Sequence, residues 1–269
     1  MSVATGPVRP RVALLREVSA RWERALRVHD DGPLDLERAR AQHRALAAAL
    51  LDAGVRVLVL PAGEHPDGCF VEDAAVVLGR HALATRPGAP SRRPEVALVA
   101  GALARLGCIV HRMAAPATLE GGDVLRVGGV LLVGRSRRTN PAGIAALAAV
   151  AAREGLRVQE VDVGDQMHLK GAVTLADGET AVVDPALLDP APLSALGLRV
   201  VEAAEGVGAN VLALGEGLVL VPEEAPRTAA SLRALGLRTL AVPGGELHRA
   251  DGRLTCLSLR LPPRGGWCA

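Results

Sequence analysis

Glu120, His168 and Asn210 each stand thirteen residues after a glycine, Gly107, Gly155 and Gly197 respectively. Two flanking stretches with longer loops reach the same kind of position at Glu72-Asp73 and at Cys256. Brought to one place, the set offers carboxylates, an imidazole, an amide and a thiol. A thiolate is the best side-chain nucleophile for a poor electrophilic carbon such as that of a guanidinium. An adjacent imidazole can supply the proton that the leaving group needs. Carboxylates can hold a planar cation through bidentate, charge-assisted hydrogen bonds, and one such as Glu120 can orient the imidazole. Cys256 and His168 could also ligate a metal ion, but no ligand spacing calls for one.

Each residue taken singly has a plainer reading. A cysteine within Leu254-Thr255-Cys256-Leu257-Ser258-Leu259 is ordinarily a small core hydrophobe. A lone histidine is more often a hydrogen-bonded structural residue than a catalyst. Asp123, after Gly121-Gly122, reads as a turn residue, Glu72-Asp73 as a solvated loop, and Asn210 as a holder of loop backbone. What separates the set from these readings is its shared phase in a repeat, which independent core or turn residues have no reason to share.

The repeat itself is legible. Five stretches run from an apolar-periodic helix through a glycine into a short β-rich segment, with the glycines at 54, 107, 155, 197 and 236. Glycine suits the left-handed position that closes a helix, and the β-branched run after it suits a buried strand. Asn140 before Pro141 is an N-cap signal, followed by Ile144, Leu147, Ala148 and Ala151 on one helical face. Val96, Val99, Leu103 and Leu106 repeat that pattern before Gly107. Hairpin turns are expected at Gly79-Arg80, Gly128-Gly129, Asp177-Gly178 and Gly215-Glu216-Gly217. The unit is therefore helix, strand, hairpin, five times over, with the N-terminal strand Val12–Leu15 completing the last unit. Packed around an axis with strands inside and helices outside, such units would bring their chemistry-bearing positions to one end. No linker or composition shift divides residues 1–269, so a single domain is expected.

Composition narrows the function classes. A net charge of +2 gives no argument for nucleic acid or an acidic membrane surface. With 49% apolar and 22% charged residues the chain reads as globular. It contains one lysine, Lys170, one phenylalanine, Phe70, and no tyrosine, so the core must be built from Ala, Val and Leu. Met1–Arg11 lacks the apolar stretch of a signal peptide, and no run of apolar residues suggests a membrane span. Cys69, Cys108, Cys256 and Cys268 form no Cys-x-x-Cys pair, so a disulfide framework or zinc knuckle is not expected, and a reduced, cytoplasmic setting is.

At these residues the sequence resembles the dimethylarginine dimethylaminohydrolases, within the guanidino-modifying pentein superfamily of five-bladed α/β propellers. The matching stretches are Pro66-Asp67 through Phe70-Val71-Glu72-Asp73, Arg86-Pro87-Gly88-Ala89 to Ser91-Arg92-Arg93, and Leu119-Glu120-Gly121-Gly122-Asp123. Arg138-Thr139-Asn140, His168-Leu169-Lys170 and Asp251-Gly252 to Leu259 follow in the family's order, so the match runs from Leu26 to the end of the chain. The resemblance implies an α/β fold of five-fold pseudo-symmetry. It implies Cys256 as nucleophile, His168 as general acid and then base, and Glu120 as the third catalytic member. Asp73 is implied as a guanidinium ligand, with Glu72 beside it and Asp67 at the pocket. Arg92 and Arg138 are implied to bind the substrate carboxylate, with Arg93 in place of Arg92 if the register slips by one. Backbone groups near Leu26 and Asp251 would hold the α-amino group. The implied reaction converts a methylated arginine to citrulline through a covalent intermediate on Cys256, with no cofactor or metal, and with a small molecule as the only expected partner.

Gly171 stands where the family commonly has a hydroxyl residue, and Cys69 in the loop before Phe70 is unusual. Three other readings remain: an arginine deiminase-like enzyme, a relative that hydrolyses another N-substituted arginine or guanidine, and a non-catalytic protein. An arginine deiminase pattern would place Arg-Asp at Glu72-Asp73 and an Asp at Lys170, and it usually carries an extra helical domain. A non-catalytic binding protein of the same fold would have no need of Cys256, His168 and Glu120 together.

Overall fold

The computed structural model describes residues 7–263 and 268. Of the N-terminal stretch read above for a leader, residues 1–6 lie outside the described residues. From the N-terminus come β1 (Val12–Arg16), α1 (Leu36–Asp52) and β2 (Arg56–Leu60). The hairpin β3 (Ala75–Leu78) and β4 (His81–Ala84), α2 (Val96–Arg105) and β5 (Ile109–Arg112) make the next unit. The hairpin β6 (Val124–Val127) and β7 (Val130–Arg135), α3 (Pro141–Ala151) and β8 (Arg157–Asp162) repeat it. The series continues with β9 (Val173–Leu175), β10 (Thr180–Val183), α4 (Ala191–Ala195) and β11 (Arg199–Glu202). It then runs through β12 (Leu212–Ala213), β13 (Leu218–Pro222), α5 (Pro226–Ala234) and β14 (Arg238–Val242). Last come α6 (Gly245–His248) and β15 (Leu259–Leu261).

Among the described residues these strands form five sheets of three. In four of them a hairpin pairs antiparallel and a helix returns the chain to a third, parallel strand, as in β6-β7-β8. The fifth sheet, β15-β1-β2, joins the two ends of the chain: Val12 pairs with Leu261 on one side and with Arg56 on the other. The N-terminal strand thus completes the last unit, as its place in the repeat predicts. This is the five-fold pseudo-symmetric α/β propeller.

Local chemistry explains the elements. Gly54, Gly107, Gly155, Gly197 and Gly236 all adopt positive φ, from 68° at Gly155 to 92° at Gly107. A side chain would be strained there. Each helix therefore stops where its glycine stands and releases the chain into a strand. Asn140 caps α3 by accepting from Gly143 N at 2.8 Å. A cap of this kind is worth roughly 1 kcal/mol. The four expected hairpin turns fall between β3 and β4, β6 and β7, β9 and β10, and β12 and β13. The core is built almost wholly from Ala, Val and Leu. Its aromatic contact is the edge-to-face pair Trp22–Phe70, with ring centroids 5.8 Å apart, a favoured arrangement for two rings. No helix among the described residues is long and apolar enough to cross a membrane.

A feature absent from the sequence reading decides where the chemistry goes. Before the first hairpin strand of each unit the chain makes a short 3-10 turn, at Val71–Ala74, Gly121–Asp123, Leu169–Gly171, Gly206–Ala209 and Thr255–Leu257. The turns of successive units pack on one another. The residues in repeat phase sit in or beside these turns, which is why they meet.

Candidate active site

Cys256, His168, Asp73, Asp67, Arg92, Arg138, Leu26 and Asp251 line one cleft, together with Phe70, Met167, Ala250 and Gly252. Most come from a loop or 3-10 turn that opens a hairpin, or from the two segments that border the cleft, Ala25–Val28 and Ala250–Gly252; Arg92 and Arg138 come instead from the segments that lead from a hairpin into α2 and α3.

His168 Nε2 lies 2.7 Å from Glu120 Oε2 and 3.8 Å from Asp73 Oδ1. Glu120 is fully buried, and its other oxygen lies 3.5 Å from Arg138 Nη1. Burial alone would raise the Glu120 carboxyl. The hydrogen bond and charge of His168, with Arg92 and Arg138, instead hold it at about 2, because neighbouring positive charge favours the carboxylate. Burial would likewise lower His168, yet Asp73, Glu120 and Asp123 together raise it to about 9. The imidazole therefore rests protonated at neutral pH, as a general acid requires.

Two glycines make this contact possible. A Cβ at Gly121 would stand 2.0 Å from the Glu72 carbonyl oxygen, and one at Gly122 would stand 2.7 Å from His168 Nδ1. Gly121-Gly122 lets the turn press against its neighbour so that Glu120 reaches the imidazole. Asp123, which reads from sequence as a turn residue, is fully buried and ties two site loops together. It accepts from Leu169 N at 3.0 Å and from the hydroxyls of Ser136 and Thr139 at 2.6 Å.

Asp73 is oriented from two sides. Its Oδ2 accepts from Arg92 Nη1 at 2.6 Å, and its Oδ1 accepts from Gly122 N at 3.1 Å. Arg92 is itself held by Glu95 and by the carbonyls of Phe70 and Asp67, so most of its N–H groups are engaged inside the protein. Arg138 is more open, with 19% of its side chain exposed. Arg93 donates to the Pro87 carbonyl, and Arg92 rather than Arg93 takes the place in the cleft wall. Asp67 accepts from Leu26 N at 2.9 Å, and Asp251, at φ 58°, accepts from Val28 N at 2.6 Å. These two bonds hold Ala25–Val28 over the cleft.

Glu72 departs from the expected role. Its carboxylate does not reach the cleft wall: Oε1 takes Lys170 Nζ at 2.7 Å and Arg260 Nη2 at 3.2 Å, and Oε2 takes the Thr255 hydroxyl at 2.8 Å. It borders a separate cavity lined also by Arg126, Lys170, Ser258 and Arg260. The physical reason is alternation within the 3-10 turn, where neighbouring residues project in different directions, so Asp73 enters the cleft and Glu72 turns away. The cations that receive it escape the sequence reading. In sequence Lys170 is marked as the one lysine, as part of the His168-Leu169-Lys170 match and as a departure from a deiminase pattern, none of which pairs it with Glu72, and Arg260 is not marked at all.

Cys256 is 8% exposed. Burial, and then the Glu72 and Asp73 carboxylates, push its thiol up to about 12, since both disfavour a second negative charge. With no substrate cation bound, the thiol is the resting form. Its iodoacetamide alkylation is therefore expected to climb about tenfold per pH unit from pH 7 to 10, since only thiolate reacts. A plateau below pH 9 in a peptide-resolved labelling experiment would contradict this. Cys69 is fully buried, with its thiol raised by burial, which agrees with a passive role.

Asp73, Glu120 and His168 place one ligand atom each within 4.8 Å of one another, a grouping that could in principle hold a metal ion. Their charges are already matched inside the protein, by Arg92, by Arg138 and by the imidazolium itself.

The chain is similar to several known proteins over most of its length. The arginine deiminase family model matches residues 102–195. The dimethylarginine dimethylaminohydrolase of Streptomyces coelicolor is 42% identical over 258 residues, covering 93% of this chain and 96% of that protein. The enzyme of the same name from Pseudomonas aeruginosa is 32% identical over 231 residues, covering 85% of this chain and 91% of the other. A solved structure of a mutant of the Pseudomonas aeruginosa protein complexed with citrulline superposes with a TM-score of 0.88 at 29% identity. It covers 94% of this chain and 99% of that one. The chain belongs to the dimethylarginine dimethylaminohydrolase family.

Proposed function

We propose that this cleft hydrolyses N-omega-methylated arginines, asymmetric dimethylarginine and monomethylarginine, to citrulline and methylamines. The observation that carries the reading is the meeting of Cys256, a protonated His168 and Asp73 in one cleft. Relatives bearing the name of that activity match nearly the whole chain.

Asp73 holds the guanidinium, and Arg138, with the charge of Arg92, takes the α-carboxylate. Leu26, Asp67 and Asp251 border the end that receives the α-amino group. The bound cation offsets the carboxylates that keep Cys256 protonated, so the thiol gives its proton to solvent and the thiolate forms where the electrophile sits. Sulfur bonds to the guanidinium carbon, and the bond to the substituted nitrogen breaks. The methylamine leaves with a proton from His168. The imidazole, now neutral, takes a proton from water, which attacks the thiouronium carbon. As the carbon–sulfur bond breaks, the proton left on the new hydroxyl passes to the departing sulfur, so citrulline departs and the Cys256 thiol is restored. The residues supply nucleophile, acid and base without a cofactor. The four cysteines are free, which suits a reducing, cytoplasmic setting.

Preference for methylated substrates follows from the count of acceptors. Lys170 and Arg260 take the Glu72 carboxylate away from the cleft, and Asp73 already serves Arg92 and Gly122. An unsubstituted guanidinium would bring more N–H groups than these acceptors satisfy. Methyl groups can instead lie against Phe70 or Met167. Citrulline release across arginine, monomethylarginine and asymmetric dimethylarginine tests this. The methylated substrates should lead in kcat/KM by on the order of a hundredfold, with symmetric dimethylarginine poor. Arginine turned over faster than either would overturn the methylarginine assignment and leave the cysteine chemistry standing.

A further inference from the structure

Asn210 shares the repeat phase of Glu120 and His168, yet among the described residues the cleft wall includes His168 and Cys256 and not Asn210. It is 1% exposed, and its amide grips Thr255, the residue before the nucleophile. Oδ1 accepts from Thr255 N at 3.0 Å, while Nδ2 donates to Thr255 Oγ1 at 3.0 Å and to the Lys170 carbonyl at 2.9 Å. The Thr255 hydroxyl donates onward to Glu72 Oε2 at 2.8 Å, and the Thr255 carbonyl accepts from Arg260 at 3.4 Å. Thr255 therefore has its amide, carbonyl and hydroxyl all fixed, in a buried network drawn from three other units of the repeat. Three positions of the repeat phase do not line the cleft: Glu120 holds the imidazole from behind, while Asn210 and the Glu72 carboxylate converge on the residue that aims the thiol.

A residue's backbone sets the direction of the next side chain. Fixing Thr255 by both backbone groups and by its hydroxyl fixes the Cα–Cβ direction of Cys256 within its short 3-10 turn. The turn's own bonds are long, as from Cys256 N to Arg253 O at 3.2 Å. A single 3-10 turn has little rigidity by itself. We propose that Asn210 and Thr255 are positioning residues for the reaction: the Asn210–Thr255–Glu72 chain locks the nucleophile's turn so that Cys256 Sγ faces the cleft beside Asp73 and His168. The inference rests on the reading of Cys256 as the nucleophile.

The test compares Thr255→Val, which keeps the shape and loses the hydroxyl, with Thr255→Ser, which keeps the hydroxyl. Asn210→Ala is read in the same way. With asymmetric dimethylarginine, Thr255→Val and Asn210→Ala should lose about tenfold to a hundredfold in kcat with KM within about twofold, as misplacement of a reacting atom does. Thr255→Ser should stay within about threefold of the wild type in kcat, since the positioning bonds survive. Iodoacetamide labelling of Cys256, mapped by peptide mass spectrometry, should move the opposite way. A loosened turn exposes the thiol, so labelling should be several-fold faster in Thr255→Val and Asn210→Ala. The buried Cys69 stays unlabelled, which shows that the fold persists. Wild-type kcat and labelling in these variants, or a Thr255→Ser as impaired as Thr255→Val, would overturn the proposal. Should Thr255→Val not fold, Asn210→Ala decides by the same readouts. If the wild type released no citrulline from any methylated arginine, the functional reading would fall. The labelling comparison would still decide the clamp, with equal rates refuting it and faster rates supporting it.

Discussion

Cys256→Ser should lose citrulline release by a factor on the order of 10⁴ or more while keeping the fold. Serine is nearly isosteric, and the site lies in a turn fixed by Asn210, Glu72 and Arg260 rather than by the thiol. The hydroxyl fails because it has no anion of comparable pKa and nucleophilicity, even when a substrate cation lies beside it. Removing a nucleophile that works with a base is among the largest single-residue effects in hydrolases. The check pairs a thermal melt, expected within a few degrees of the wild type, with a citrulline assay using enough enzyme to see residual turnover. Appreciable activity in the serine variant would place the nucleophile elsewhere.

His168→Gln carries the second largest expected loss, on the order of 10³ in kcat, because in the proposed mechanism one imidazole serves both halves of the reaction. Glutamine can still hydrogen-bond Glu120, so the loss is chemical more than structural. The two halves should respond differently to the leaving group. Adduct formation should recover for a substrate whose leaving group needs no proton, whereas release of citrulline from the adduct stays slow, since nothing then activates water. Rapid-quench mass spectrometry separates the two steps. A variant that formed citrulline at close to the wild-type rate would make His168 a structural ion-pair partner of Glu120. The raised His168 also fixes a sign for stability. Its folded value, about 9, exceeds the ordinary 6.5 of the unfolded chain. Its contribution is therefore fully present below the unfolded value and fades as pH rises through the folded one.

Much of this architecture can be read from sequence because the repeat writes it five times. The glycines after each helix need a backbone conformation that other residues resist, so helix ends and strand starts are marked locally. The hairpin turns are marked in the same way. The convergence of Glu120, His168 and Cys256 follows from repeat phase alone. Direction within a turn is what phase cannot supply. Glu72 and Asp73 are adjacent in sequence, and only the 3-10 geometry sends one to the cleft and the other to Lys170 and Arg260. The structural role of Asp123 is equally hidden, since its partners Ser136, Thr139 and Leu169 N become neighbours only when two units pack. Arg92 shows the same limit. The family resemblance implies a carboxylate ligand there, but the depth of Arg92 gives it a second duty in holding Asp73.

The most direct test of the account is the mass of the covalent species. Wild-type protein quenched during turnover should carry one adduct, mapping to Cys256. Its mass should be identical whether the substrate is monomethylarginine or asymmetric dimethylarginine, because the methylated nitrogen leaves as sulfur bonds to carbon. An adduct that retained the methyl groups, or one that mapped to Cys69, Cys108 or Cys268, would contradict the mechanism.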